Sequence, residues 1–360
     1  MTQFTCKTRI ISGTGAVASL GEMGIRKLLL VTDPFFMENG TAERIADMAK
    51  AGAVQIFNQV TPDPSVELAA GGAALVRDFD PDTVVALGGG STMDCAKAML
   101  YFGSDHAKLV AIPTTSGSGS EVTDFAILTH NGVKHPLVDK RLQPAVAILD
   151  SDLLTNLPRQ LIADSGFDVL AHALEAWTAT EADAFTDALA REAFCKVYNL
   201  LPASFNGNTA VRLDIHQASA MAGMAFTQAG LGLCHAMSHS LGGLFHVPHG
   251  RLNAILLPAV IDLNSKAAGG KYAALARVAG LGGSADTIAV RNLKNGLIRL
   301  RKELELPATL AQAGIAPARV YEKRKEIVAA TLADPCCRTN AILVEEYMVQ
   351  DMLTQVTGHG

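Results

Sequence analysis

Hydrophobic residues in the first 150 positions form short unbroken runs, and stretches with helical spacing separate these runs. Buried strands are predicted at KLLLVTD (27–33), AVQIFNQV (53–60), DTVVALGGG (82–90) and KLVAIPTT (108–115). Helices are predicted between them, for example at GTAERIADMAKAG and SVELAAGGAALVRDF. Because strands that alternate with helices pair in parallel through right-handed crossovers, this half is predicted to be a Rossmann-like α/β domain. A small hairpin is predicted in FAILTHNGVKHPLV, where Asn131-Gly132 favours a tight turn.

The pattern changes near Asp152. Later segments such as GFDVLAHALEAWTA and AVRNLKNGLIRLRKELEL have helical periodicity and few signals for strands. We therefore predict two domains, an α/β dinucleotide-binding domain over residues 1–152 and an all-α domain over residues 153–360. Since ligands commonly bind in clefts between domains, such a cleft is the default place for a ligand.

Composition narrows the class of protein. The 360 residues are 49% hydrophobic and 18% charged, which is enough apolar material for large buried interiors. A formal net charge of -5 and the lack of a basic block argue against a nucleic-acid partner. The N-terminus has no secretion-signal pattern and no apolar run is long enough to span a bilayer, so a cytoplasmic protein without a membrane partner is expected. Six cysteines without framework spacing fit a reduced compartment.

Two loops rich in glycine and hydroxyl groups follow predicted strands. In ALGGGSTMDCAKAML, Gly88, Gly89 and Gly90 precede a predicted helix, whose free N–H groups favour an anion. This pattern is neither the G-x-G-x-x-G nor the P-loop fingerprint, and taken alone it fits a plain strand–helix turn equally well. The hydroxyl groups of AIPTTSGSGSEVTD could donate hydrogen bonds to phosphates or a ribose. Two such loops at adjacent strand ends favour a dinucleotide at the carboxyl edge of the sheet.

Asp33, the last residue of the predicted strand KLLLVTD, has two interpretations. A carboxylate there suits the hydroxyl groups of the adenosine ribose and repels a 2′-phosphate, which favours NAD over NADP. A turn-forming aspartate before Pro34 explains the same residue equally well.

The histidines are concentrated in one segment. Four of the ten lie in GLGLCHAMSHSLGGLFHVPHG, at His235, His239, His246 and His249. Asp168 and His172 are four residues apart and share a helix face, as His235 and His239 do. An isolated buried His–Asp pair is more often a hydrogen bond in the core than a metal site. One carboxylate and several imidazoles in three apolar segments favour a divalent transition metal instead.

Four segments, in this order, resemble the iron-containing (group III) alcohol dehydrogenases: GGGSTMDCAKA, AIPTTSGSGSEVT, GFDVLAHALEAW and GLGLCHAMSHSLGGLFHVPHG. The resemblance covers essentially the whole chain, from TRIISGTGAVASL to ADPCCRTN. TPDP, AILD and GLFHVPHG make it most similar to the 1-propanol and ethanol dehydrogenases of propanediol- and ethanolamine-utilisation type. It implies a dehydroquinate synthase-like architecture, with an N-terminal dinucleotide-binding domain and a C-terminal helical metal domain.

The resemblance also implies roles for individual residues. The implied metal ligands are Asp168, His172, His235 and His249, and His239 is implied as a proton relay that does not bind the metal. The implied cofactor contacts are Asp33, Gly88, Gly89, Gly90, Ser91, Asp94, Thr114, Thr115, Ser120 and Lys134. The implied lining of the substrate and nicotinamide pocket is Phe125, Ile127, Phe226, His246 and Cys336. The implied metal is iron(II), although the same donors also suit zinc(II).

The implied reaction is hydride transfer between NAD(H) and a short-chain primary alcohol or its aldehyde. Apolar pocket residues favour a short neutral substrate, but reductases of sulfoacetaldehyde, 4-hydroxybutyrate or 1,3-propanediol type stay open. Ser240, His246 and Ala341 depart from the family pattern, which leaves substrate size and polarity open. A non-redox enzyme of dehydroquinate synthase type is disfavoured because few basic residues lie near the motifs. A homodimer or larger homo-oligomer is expected, and association with a bacterial microcompartment stays open.

Overall fold

The computed structural model describes residues 3–130 and 133–358. The chain divides into two compact units. The first, here called the α/β unit, contains Thr5–Leu157 and Arg212–Gly223. The second, the helical unit, contains Pro158–Val211 and the chain from Met224 onwards. Among the described residues, no helix combines the length and apolarity that crossing a membrane requires.

The described residues of the α/β unit form eight strands. They are β1 (Arg9–Gly13), β2 (Lys27–Thr32), β3 (Ala53–Phe57), β4 (Thr83–Gly88), β5 (Lys108–Pro113), β6 (Phe125–His130), β7 (Val133–Val138) and β8 (Val146–Asp150). Six of them form a parallel sheet in the order β1-β8-β5-β4-β2-β3. The four predicted strands are confirmed as β2 to β5. The predicted hairpin is confirmed as the antiparallel pair β6–β7, whose turn residues Asn131 and Gly132 lie outside the described residues.

Helices cover both faces of this sheet. They are α1 (Pro34–Glu38), α2 (Thr41–Met48), α3 (Val66–Phe79) and α4 (Gly90–Gly103). Leu28 and Leu30 of β2 pack in one cluster with residues of α2, whereas Leu29 and Val31 pack in another with residues of α3 and α4. Both faces of the strand are therefore buried, which explains why the apolar runs are unbroken instead of alternating. The predicted Rossmann-like α/β fold is confirmed, with helices on both faces of a parallel sheet.

The later part of the chain is helical, as predicted. Its helices are α5 (Arg159–Thr178), α6 (Ala184–Phe205), α7 (Arg212–Ala229), α8 (Leu233–Phe245), α9 (His249–Val278), α10 (Asp286–Glu303), α11 (Pro317–Glu322), α12 (Arg324–Ala333) and α13 (Glu346–Thr357). The first part of α7, up to Gly223, belongs to the α/β unit.

Helices α5 and α9 approach closely at Gly250. A Cβ atom on Gly250 would collide with the carbonyl oxygen of Asp164 in α5. Next to it, Arg251 Nη2 pairs with Asp164 Oδ2 at 2.8 Å. The lack of a side chain at Gly250 thus lets the first turn of α9, which begins at His249, lie against α5 beside Asp168.

Candidate active site

Helix α5 presents three polar side chains on one buried face. Asp168, His172 and Glu175 are spaced by four and three residues, which places them in a row along the helix. All three are buried. Because buried polar groups need partners, this row must meet polar atoms from other helices.

Helices α8 and α9 supply those atoms. Asp168 Oδ1 lies 3.6 Å from His249 Nε2 and 3.8 Å from His235 Nε2. Asp168 Oδ2 lies 4.0 Å from His172 Nδ1. The rings of His172 and His235 stack with their centroids 4.4 Å apart. The structure therefore brings together the four side chains predicted to bind a metal, here called the ligand cluster.

The spacing of these atoms fits a shared cation better than direct hydrogen bonds. N–H···O bonds span roughly 2.7–3.2 Å, which is shorter than every separation between Asp168 and the three imidazoles. Donors around one ion, with bonds of about 2.0–2.2 Å, lie roughly 3–3.5 Å apart. Candidate donor atoms of Asp168, His172 and His235 all lie within 4.8 Å of one another, and His249 Nε2 lies 3.6 Å from Asp168 Oδ1. One carboxylate and three imidazoles are also donors that divalent iron and zinc accept. The residues present fit such an ion.

Negative charge dominates the cluster. Burial acts to raise the pKa of Asp168, but the imidazoles of His172 and His249 more than offset this and hold that pKa well below its usual value. Burial acts to lower the pKa of His235, but the carboxylates of Asp168 and Glu175 outweigh it and raise the pKa to about 9. The same surplus of negative charge that holds a proton on His235 attracts a metal ion in its place.

Glu175, which was not among the predicted site residues, holds His235 in position. Its Oε2 atom accepts a 2.6 Å hydrogen bond from His235 Nδ1, which leaves Nε2 as the ligating atom. The carboxylate also accepts the backbone N–H groups of Gly232 and Cys234 at 3.0 and 2.7 Å. It therefore caps the start of α8 and orients a ligand candidate on that helix. A signal was present, because Glu175 lies seven residues after Asp168, on the same helix face.

Asn253 gives Asp168 comparable support, and it was also missed. Its Nδ2 atom donates to Asp168 Oδ1 at 2.7 Å, and its Oδ1 atom accepts from the Ser238 hydroxyl at 2.5 Å. Its position four residues after His249 places it on the face of α9 that turns towards the cluster. Asn253 thereby joins α5, α8 and α9 through a buried polar contact.

His239, the predicted proton relay, lies at the edge of the cluster. Its Nδ1 atom donates to Asp334 Oδ2 at 2.8 Å, and its ring stacks on that of His249 with centroids 5.1 Å apart. Its side chain is 22% exposed, against 1% for His235. His239 is therefore the more accessible histidine, and Asp334 fixes its ring orientation. Nothing in the sequence pointed to Asp334.

Three residues predicted to line the pocket belong to the helical unit. Phe226 is buried and stacks on His172, with ring centroids 4.4 Å apart. The backbone N–H of Cys336 donates to Asp334 Oδ1 at 2.8 Å, which places Cys336 near His239. His246 is exposed and follows the end of α8 in the left-handed conformation, with φ of 54°. Asparagine and glycine adopt that conformation most readily, so a histidine at this position is uncommon.

In the α/β unit, the two glycine-rich loops meet where β4 and β5 end. The predicted cofactor contacts at this edge are Gly88, Gly89, Gly90, Ser91, Thr114 and Thr115. The backbone N–H of Thr114 donates to the carbonyl of Gly88 at 2.9 Å. A Cβ atom on Gly90 would lie 3.0 Å from Ser118 Oγ, so a small residue is needed for the two loops to approach. Helix α4 begins at Gly90 without a side-chain cap, which leaves N–H groups directed at this edge.

Asp94 ties the two loops to β6. Its Oδ1 atom accepts from the Ser120 hydroxyl at 2.7 Å, and its Oδ2 atom accepts from the backbone N–H of Ile127 at 3.1 Å. Lys97, one turn later, donates to the carbonyl of Phe125 at 2.8 Å. Both carboxylate oxygens of Asp94 thus have protein partners, so Asp94 and Ser120 set the shape of the loops.

The two remaining cofactor candidates flank the same edge. Asp33 caps α1, since its Oδ1 atom accepts from the backbone N–H of Phe36 at 3.3 Å. Capping uses one oxygen, so it is compatible with a ribose contact by the other. Lys134 on β7 pairs with Asp63 at 2.8 Å, and the backbone N–H of Asp63 donates to Ser91 Oγ at 3.4 Å. Lys134 is therefore held next to the loop that follows β4.

Comparison with protein families gives two matches that together span most of the chain. Residues 7–151 match the iron-containing alcohol dehydrogenase family. Residues 162–357 match the C-terminal domain of the Fe-containing alcohol dehydrogenase family.

Individual proteins are similar over all or nearly all of their length. The 1-propanol dehydrogenase PduQ of Citrobacter freundii is 38% identical, over 99% of this chain and 100% of that protein. The NADPH-dependent butanol dehydrogenase of Clostridium saccharobutylicum is 36% identical, over 94% of each chain. Among solved structures, the sulfoacetaldehyde reductase of Bifidobacterium kashiwanohense in complex with NAD+ has a TM-score of 0.90 and 26% identity, with all of both chains covered.

Proposed function

Since the chain belongs to the iron-containing alcohol dehydrogenase family, we propose that it uses iron(II) and NAD(H) to interconvert a short, neutral primary alcohol and its aldehyde. Family membership makes the chain an oxidoreductase of the alcohol dehydrogenase class, and the proposal concerns its metal, cofactor and substrate. The observation that carries it is the geometry at Asp168, whose carboxylate oxygens lie 3.6–4.0 Å from nitrogen atoms of three imidazoles.

Asp168, His172, His235 and His249 would hold the metal. A divalent ion bound there supplies a Lewis acid that polarises the oxygen of the alcohol or aldehyde. Glu175 and Asn253 keep the ligand side chains fixed, and the buried surroundings strengthen every charge interaction in the site. Iron is proposed over zinc because the matched family is the iron-containing one.

The loops of the α/β unit are proposed to bind NAD(H). The uncapped start of α4 and the Gly88–Ser91 turn offer N–H groups and a helix dipole to the pyrophosphate. Lys134, held beside this turn by its pairing with Asp63, and the hydroxyl groups of Thr114 and Thr115 add further polar contacts. The carboxylate of Asp33 disfavours a 2′-phosphate, which supports NAD over NADP.

His239 is proposed to exchange a proton with the substrate oxygen. Because its Nδ1 atom donates to Asp334, its Nε2 atom is the one left to accept a proton. The partial exposure of His239 lets the proton pass on to water. Asp334 acts as a positioning residue for this histidine.

A short neutral substrate suits the surroundings of the ligand cluster. Phe226 presents an apolar ring against His172. The positive charge of Arg251, two residues after His249, is already matched by Asp164. Sulfoacetaldehyde and the aldehyde of 4-hydroxybutyrate each carry a negative charge that would need its own cation. The relatives that act on 1-propanol and butanol support the neutral class.

The test is a panel of aldehydes reduced by the iron-loaded enzyme with NADH, followed by the loss of NADH absorbance. We expect kcat/KM for propanal or butanal to exceed that for sulfoacetaldehyde and succinic semialdehyde by about 10-fold or more. A preference for either charged aldehyde would overturn the proposed substrate class. Absence of turnover with every aldehyde would overturn the proposed reaction.

The expected homodimer, cytoplasmic location and packaging in a microcompartment stay predictions. Light scattering of the purified chain tests the dimer, since a mass near twice 37.8 kDa is expected.

A further inference from the structure

Three side chains of different chemistry converge beside the ligand cluster. His239 on α8 and the residues Asp334 and Cys336, which follow α12, each offer one donor atom, and these atoms all lie within 4.8 Å of one another. Asp334 Oδ2 lies 2.8 Å from His239 Nδ1, and Asp334 Oδ1 accepts from the backbone N–H of Cys336. The proposed reaction uses the imidazole and the carboxylate but gives no role to the thiol.

A thiol, an imidazole and a carboxylate together suit borderline and soft divalent ions such as Zn²⁺ and Cd²⁺. Around a tetrahedral ion, donors lie roughly 3.3–3.8 Å apart, so side-chain movements of about 1 Å close the site. Burial and the negative charge of Asp334 raise the pKa of the Cys336 thiol well above its ordinary value. Only an ion that binds sulfur strongly displaces such a proton, which disfavours hard ions such as magnesium.

The segment that carries Asp334 and Cys336 is fastened to the start of α8. The Thr339 hydroxyl donates to the carbonyl of Leu231 at 2.7 Å, and Asn340 Oδ1 accepts from the backbone N–H of Leu233 at 3.2 Å. These bonds hold the carboxylate and thiol against the helix that bears His239. The three donors therefore lie together before a metal ion binds. The partial exposure of all three side chains gives a hydrated ion access.

We propose that His239, Asp334 and Cys336 form a second metal site, which takes Zn²⁺ or Cd²⁺ and inhibits the enzyme when it is occupied. As the metal–sulfur and metal–nitrogen bonds form, the thiol proton passes to solvent. The imidazole proton moves from Nδ1 to Nε2 by exchange with water, so the ring stays neutral and its Nε2 atom can no longer accept a proton. The inhibition rests on the proposed function, because a His239 that binds a metal can no longer exchange a proton with the substrate. Binding itself does not depend on that function.

The test titrates Cd²⁺ into iron-loaded enzyme and follows the ultraviolet cadmium–thiolate charge-transfer band together with bound cadmium. Wild type should bind one Cd²⁺ with a thiolate band and lose propanal reduction in parallel. The ligand cluster has no thiolate donor, so replacement of iron there gives no such band. Cys336→Ser should lose the band and bind this Cd²⁺ about 10-fold more weakly or worse. Cys337→Ser is the matched control, because its thiol instead donates to the carbonyl of Thr331, and it should behave as wild type.

Two results would overturn the second site: no thiolate band in wild type, or an unchanged band in Cys336→Ser. A band that saturates without loss of activity would overturn its inhibitory role. Propanal reduction by the iron-loaded enzyme before cadmium is added reports on the proposed function separately. Circular dichroism of Cys336→Ser and Cys337→Ser checks that both variants fold.

Discussion

The Nδ1 atom of His235 lies 2.6 Å from Oε2 of Glu175, and both side chains are almost completely buried. A hydrogen bond this short to a carboxylate fixes the ring plane and directs Nε2 towards Asp168. Because the same carboxylate accepts backbone N–H groups at the start of α8, helix position and ligand orientation depend on one residue. Metal retention and the stability of α8 should therefore change together when Glu175 is altered.

Replacement of Glu175 by glutamine should weaken metal binding. Glutamine keeps the size of the side chain and one acceptor oxygen but removes the charge that makes His235 a strong ligand. We expect an iron affinity about 10–100-fold lower, measured by competition with a chelator. Glu192→Gln, on the exposed face of α6, is the matched control and should retain iron as wild type does. Equal iron affinity in Glu175→Gln and wild type would remove Glu175 from this role.

His235→Ala and His249→Ala should abolish metal retention and alcohol dehydrogenase activity while NADH binding persists. Each variant removes one of the four proposed metal donors, all of which lie in the helical unit. NADH binding should persist because the loops proposed to bind NAD(H) belong to the α/β unit. Metal analysis and NADH fluorescence titration measure the two properties separately. His106→Ala, at an exposed position of the α/β unit, is the control. Normal turnover of propanal by either ligand variant would show that the ligand assignment is wrong.

Much of the fold could be predicted because its signals are local. Strands β2, β4 and β5 are buried on both faces and therefore form unbroken apolar runs. Strand β1, RIISG, lies at an edge of the sheet and is only partly buried, so it gives no such run and was not predicted. The membership of Arg212–Gly223 in the α/β unit also has no local signal. It depends on tertiary contacts such as the 2.9 Å hydrogen bond between Ser116 and His216.

In the candidate site, too, local relationships could be predicted from the sequence and tertiary contacts could not. Helical spacing places Asp168 and His172 on one helix face, and His235 and His239 on another. That the two helices lie together was predicted only from the family resemblance. Asp334 could not be predicted, because it lies 95 residues from His239 and its segment has no periodic pattern. Glu175 could have been found from its place on the face of Asp168, but a helix face does not reveal which residue meets the imidazole of another helix.

Asp33 provides a test of cofactor choice. Asp33→Gly should raise kcat/KM with NADPH relative to NADH by about 10-fold or more, since repulsion of the 2′-phosphate is removed. Asp33 also caps α1, so the loss of a cap could change binding for another reason. Asp33→Asn separates the two effects, because asparagine caps helices as well as aspartate does but carries no charge. An unchanged cofactor ratio in both variants would remove Asp33 from cofactor selection.

Glu121, which is not part of the ligand cluster, provides a test of how the free energy of unfolding depends on pH. Glu121 is buried in the α/β unit, and its Oε1 atom has no hydrogen-bond partner in the described part of the chain. Burial raises its pKa from 4.5 to about 7, against the opposing effect of a backbone hydrogen bond and of Lys97. Between these two values the folded state binds more protons than the unfolded state, so the free energy of unfolding falls as pH rises through this window.

Glu121→Gln should remove that dependence, because glutamine stays neutral at every pH in the window. One pKa unit corresponds to about 1.4 kcal/mol, so wild type should lose up to about 3 kcal/mol relative to the variant between about pH 4.5 and about pH 7. Urea unfolding of both proteins at several pH values measures the difference. Glu43→Gln, on an exposed part of α2, is the control and should follow wild type. Parallel curves for wild type and Glu121→Gln would show that folding does not raise the pKa of Glu121.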